Sequence, residues 1–123
     1  MDRTFLLTAA VAGFLAVALG AFGAHGLRGR LSPDMLAVFE TGVRYHMYHA
    51  LALLATSALA ARLERRAVVA AGWLFVTGIV VFSGSLYLLA VTGIRVLGAI
   101  TPIGGAAFII AWALFAVAVI KAD

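Results

Sequence analysis

The stretch AVVAAGWLFVTGIVVFSGSLYLLAVTGI, residues 67–94, contains no charged side chain. As a helix it is longer than the roughly 30 Å that a hydrocarbon core requires. Only a bilayer offers such a segment a matching solvent, so residues 67–94 set the fold class: an integral membrane protein built from helices. Three further spans follow on either side of it. Arg62, Glu64, Arg65 and Arg66 form a short charged loop on its N-terminal side. Before that loop, a helix running inward from about Gly42 to Ala61 predicts a second span. Thr4 to Ala24 is uncharged and predicts a first. On the C-terminal side, Arg95 to Ile100 reads as a connection with one charge. Thr101-Pro102 then starts a fourth span that ends near Ile120, before Lys121-Ala122-Asp123. The expected architecture is an all-α four-helix membrane bundle. It forms a single transmembrane domain over 1–123, with spans near 4–24, 43–61, 67–91 and 101–120.

Composition supports the same class. The chain has 123 residues, of which 65% are hydrophobic and 11% charged. Soluble domains are nearer half apolar and a quarter charged. With no cysteine, disulfides, thiolate nucleophiles and Cys-ligated metals are excluded. The net charge of +4 is carried by arginine apart from Lys121. In a membrane protein such an excess reflects orientation and anionic headgroups. No basic cluster interleaved with aromatics is present on a polar face, so no nucleic-acid partner is expected. Arg3, Arg62, Arg65, Arg66 and Lys121 fall on the side of the termini, against Arg28, Arg30 and Arg95 opposite. The positive-inside rule therefore places both termini of this multi-pass chain in the cytoplasm. Asp2-Arg3 before the first apolar run and Ala-Phe-Gly-Ala at its end also resemble a signal peptide. The run exceeds a usual signal core, so a retained helix is expected.

Local chemistry marks the joints. His25 to Leu31 is a polar, glycine-broken connection. Ser32-Pro33-Asp34 reads as a helix start, with a capping hydroxyl, a proline preset for the first turn and an acid at the positive end of the dipole. Asp34 and Glu40 give the beginning of that helix an interfacial character. Ala12, Ala16, Gly20 and Ala24 recur every fourth residue and predict a close helix contact, within the chain or at a homo-oligomer seam. Gly84, Gly104 and Gly105 are further close-packing positions. Pro102 has an alternative reading, as a kink inside a longer helix.

Residues 40–49, E-T-G-V-R-Y-H-M-Y-H, concentrate the polar chemistry of an oily chain. On a helix Glu40, Arg44 and Tyr48 share one face, with Tyr45 and His49 beside it. Glu four positions before Arg is the favoured order for a side-chain pair. These residues, with Ser83 and Tyr87 on one face of the third span, are the candidate binding residues. An anchor pair, an aromatic belt and hydrogen-bonded packing histidines explain the same pattern structurally. His25, His46 and His49 lack an intramembrane carboxylate, so neither a metal nor another cofactor is expected. No Ser-His-Asp set or catalytic carboxylate pair is readable, so no enzyme activity is expected.

Four blocks carry a family resemblance: G-A-F-G-A-H-G-L at Gly20–Leu27, F-E-T-G-V-R-Y-H-M-Y-H-A-L at Phe39–Leu51, F-S-G-S-L-Y at Phe82–Tyr87 and T-P-I-G-G at Thr101–Gly105. In this order they resemble the bacterial domain-of-unknown-function family 423, to which the animal transmembrane protein 256 is related. The resemblance implies a small four-helix inner-membrane protein and supplies no activity or catalytic residue. The family often shows Gln where this chain has His46, which moves any metal or proton role toward His49. The leading functional expectation is a non-enzymatic binding or assembly module with a polar mouth at Glu40, Arg44, Tyr48 and His49. An oligomeric transporter or channel component for an ion, proton or small anion is the alternative. A lipid- or quinone-binding protein ranks third. The lipid bilayer and a second copy of the chain are the expected partners.

Overall fold

The computed structural model describes residues 3–123; Asp2, invoked above, lies outside them. Helix α1 spans Arg3–His25, α2 Pro33–Leu59, α3 Arg65–Gly78, α4 Gly84–Thr92 and α5 Leu97–Ile120. Among the described residues there is no strand. A 3-10 turn, Ala60–Arg62, extends α2, and a π-helical turn, Ile79–Ser83, joins α3 to α4. The segment Arg65–Thr92 is therefore one long rod with a π bulge at its middle.

The ends follow from local chemistry. Ser32 accepts the Met35 N–H at 3.2 Å, with Pro33 in the first turn of α2. Glu64 caps α3 by accepting the Ala67 N–H at 2.6 Å. After Thr92 the chain turns through Gly93 at φ +72, a left-handed conformation that glycine adopts without a Cβ penalty. The expected start of the last helix at Thr101 is corrected: α5 begins at Leu97, and Pro102 lies inside its second turn. Val96 to Ile100 carry no polar side chain to divert the backbone. The proline removes only one early N–H bond, and Thr101 Oγ1 donates to the Leu97 carbonyl at 3.2 Å beside it.

Packing is sequential. α1 lies on α2, α2 on the Arg65–Thr92 rod, and the rod on α5. A central cluster joins Phe5, Ala9, Leu53, Phe75, Phe108 and Ala111. A smaller one at the end of the chain termini joins Ala60, Ala67, Val68 and Ala118. A third, at the opposite end, holds Leu27, Phe39 and Ala90. The outside is equally apolar: Phe14, Ile109 and Ile120 are 72%, 72% and 80% exposed. Helices that are apolar all round belong in lipid. Three helices among the described residues are long and apolar enough to cross a membrane: α1, the rod and α5. Helix α2 is as long but carries Asp34, Glu40 and Arg44.

Where helix association lacks a hydrophobic drive, close contacts and interhelical hydrogen bonds hold the bundle. Both occur at the π turn. Ser83 Oγ, fully buried, donates across to the Gly42 carbonyl at 2.7 Å. A Cβ on Gly42 would lie 2.9 Å from the Tyr87 ring. On the other side, Gly104 abuts the backbone of Phe82. Ala12 and Ala16 are buried, a Cβ on Gly20 would lie 3.2 Å from Val43, and Ala24 is exposed. Gly84 departs from the close-packing expectation. A Cβ there would meet nothing within 4 Å, because it lines an open groove. Gly105 makes only ordinary contact with the Phe82 ring.

Candidate functional site

Helix α2 distributes the polar residues of 40–49 over three separate surfaces. Glu40 and Arg44 stand exposed on the outer side of the α1–α2 pair. With Gly20, Gly23, Phe39 and Val43 they line a pocket of about 340 Å³. Among the described residues no ion pair joins them to each other or to a third group. A charged acid and a charged base one turn apart are thus both available to a ligand.

His46 faces the other way, between α1 and the rod. Its Nδ1 lies 2.8 Å from the Tyr87 hydroxyl. His46 is 4% exposed and ties α2 to the rod. Beside it runs an apolar groove of about 380 Å³, walled by Leu15, Leu53, Val76 and Ile79.

His49 faces α5. Its Nδ1 donates to the Tyr45 carbonyl at 2.7 Å, and Nε2 accepts the Trp112 indole N–H at 3.1 Å. The ring is stacked on Phe108, with centroids 3.6 Å apart and planes 8° apart. The partners of His49 assign its neutral tautomer, with the proton on Nδ1. A second proton on His49 would set two donors against each other at Trp112.

The other candidates find partners of their own. Tyr45 and Tyr48 are half-exposed and in ring contact, 5.7 Å between centroids; Tyr45 also meets Phe82. Tyr48 and His49 are not brought to the pocket of Glu40 and Arg44. Ser83 is engaged with Gly42, and Tyr87 with His46. Ser85 shares a 2.6 Å hydrogen bond with Thr101, linking the rod to α5. Sequence reasoning missed Trp112, whose partner is 63 residues away, and discounted His46, which is central here.

A prediction arises at His46. Glutamine can repeat the bond to Tyr87, since its amide offers both a donor and an acceptor. His46→Gln is therefore expected to leave detergent-denaturation stability within about 0.5 kcal/mol, the range of a neutral change. His46→Leu leaves the Tyr87 hydroxyl without a partner and is expected to cost about 1–2 kcal/mol. Equal losses for the two variants would show that the hydrogen bonds contribute nothing.

Comparison with known proteins now places the chain. A family model described as "Protein of unknown function (DUF423)" matches residues 19–105. The UPF0382 membrane protein YwdK of Bacillus subtilis is 54% identical over 97% of this chain and 98% of its own length. The chain belongs to this family. A UPF0382 membrane protein of Staphylococcus epidermidis is 46% identical over 97% of this chain and 97% of its own. Another, from Staphylococcus saprophyticus, is 46% identical over 97% and 98%. No solved structure matches the chain. The matched region runs from the end of α1 through α2 and the π-bulged rod into the first half of α5. It includes Glu40 and Arg44, both histidines, the π turn and Gly104. Membership establishes a small all-helical membrane protein; its relatives carry no stated activity.

Proposed function

We propose that this chain is a four-helix protein of the bacterial inner membrane, with both termini cytoplasmic, acting as a non-enzymatic binding module. The observation that carries this is the unpaired Glu40 and Arg44 beside a polar pocket between α1 and α2. Charges near hydrocarbon are costly when left alone, and a ligand is one way of satisfying them. Helix length fits this location. The 27 residues of α2 extend about 40 Å. The part from Glu40 to Leu59 suffices for a bilayer core, which sets Glu40 and Arg44 at its boundary. The bonds of His46 to Tyr87 and of His49 to Trp112, both between helices, support a non-enzymatic role. Transport finds less support. On the same face as Glu40 and Arg44, the furrow between α1 and α2 continues as Met47, Leu51 and Leu54 without a polar group.

Native mass spectrometry of protein released from its own membranes tests this. A co-purifying small-molecule adduct is expected, reduced in Arg44→Ala and unchanged in Arg65→Ala at the far end. Bare protein, or equal adducts in all three, would overturn the binding role.

A further inference from the structure

Two cavities follow one another along the α1–α2 pair. On α2, Glu40, Arg44, Met47, Leu51 and Leu54 succeed one another at intervals of four, three, four and three, so they share one face. On the antiparallel α1, Gly20, Val17, Gly13 and Ala10 do the same in reverse. The upper cavity, about 340 Å³, is bounded by Glu40, Arg44 and Gly20. The lower one, about 640 Å³, has Gly13, Val17, Met47, Leu51 and Leu54 in its walls. A Cβ on Gly13 would meet nothing within 4 Å, so the furrow is open there. From Glu40 to Leu54 the groove runs about 21 Å along α2, starting at the bilayer boundary.

That shape is amphiphilic, and its charges come in a definite order. Glu40 is nearest the interface. Arg44 lies about 6 Å deeper, one turn on. Below Arg44 the walls are apolar. A phospholipid with a primary ammonium presents the same sequence with depth: ammonium outermost, phosphate beneath it, acyl chain below. We infer that this groove binds one zwitterionic aminophospholipid, with its ammonium at Glu40, its phosphate at Arg44 and an acyl chain along the Gly13–Leu51 furrow. This rests on the binding role proposed above and names its ligand. Arginine suits the phosphate because its planar fork gives two parallel hydrogen bonds. The carboxylate adds selectivity: an ammonium carrying N–H groups can donate to it, whereas a trimethylammonium offers no such donor. An anionic glycerol headgroup offers Glu40 no positive charge.

The experiment is lipid competition on delipidated full-length protein, read by native mass spectrometry. The probes are phosphatidylethanolamine, phosphatidylcholine and phosphatidylglycerol of identical acyl chains. The wild type is expected to retain the ethanolamine lipid about fivefold over each of the others, as one screened charge contact allows. Glu40→Gln should erase the preference while phosphate lipids still bind. Arg44→Gln should weaken all three. Gly13→Leu should fill the furrow and reduce all three with Glu40 and Arg44 intact; the open space at Gly13 keeps this variant foldable. Retention without headgroup preference in the wild type would overturn the aminophospholipid and leave the binding role standing. No retained lipid at all would remove both. If Gly13→Leu converts a dimer to a monomer and leaves lipid retention unchanged, the furrow belongs to a second copy and the lipid site is wrong.

Discussion

Gly104→Ala is expected to destabilise the protein by about 2–3 kcal/mol, measured as a lowered midpoint of detergent denaturation. The new methyl group would run into the backbone nitrogen and Cα of Phe82. A side chain can change rotamer to make room; a backbone cannot. Phe82 belongs to the π turn Ile79–Ser83, where the wider turn bulges the chain outward against α5. The rod and α5 would have to separate, weakening the Ser85–Thr101 hydrogen bond and the Phe82–Phe108 contact along the same seam. In lipid these contacts are most of what holds the two helices together, since apolar burial brings little gain there. One residue further on, a Cβ on Gly105 would lie 3.8 Å from the nearest ring carbon of Phe82. Gly105→Ala is expected to be neutral, or stabilising by up to about 1 kcal/mol through helix propensity. Similar losses at the two positions would show that the tight seat at Gly104 does not control the seam.

The sequence made the apolar helices legible because charge is so costly in lipid that its absence is a strong signal. The uncharged run Thr4–Ala24, and Ala67–Ile94 up to Thr92, lie within helices long and apolar enough to cross a bilayer. Ser32-Pro33 began α2 because capping is local chemistry. Thr101-Pro102 carried the same local pattern and misled. In an apolar setting the backbone of Val96 to Ile100 gains nothing from leaving the helix early. The π turn was not legible at all. Its contacts are tertiary: the Gly42 carbonyl accepts from Ser83 and Gly104 abuts Phe82, and neither is its neighbour in sequence. At the candidate site, the spacing of Glu40 and Arg44 put them on one face. It could not show that both side chains stay free of an ion pair. The partners of the histidines, Tyr87 and Trp112, were hidden for the same reason as the π turn: they are tertiary choices made 41 and 63 residues away.

Phe108→Ala is expected to cost about 2–3 kcal/mol, below the usual value for a buried phenylalanine because lipid already solvates part of what is lost. The ring touches His49, Phe82 and the backbone at Gly78 together. Collapse into the cavity is opposed because His49 is fixed at both nitrogens, by Tyr45 and Trp112. Gly78→Leu alone is expected to be at least as damaging, since its Cβ would overlap Cδ1 and Cε1 of the same ring. Together the two changes should compensate, because the leucine enters the space that the ring leaves. A double-mutant cycle in detergent is expected to give a favourable coupling of about 1–2 kcal/mol. Strictly additive losses would mean that Gly78 and Phe108 do not meet in the folded protein. Coupling with that sign would place α5 flush against the turn preceding the π bulge. Since Phe108 also stacks on His49, α2, the rod and α5 would then be held in register by one ring.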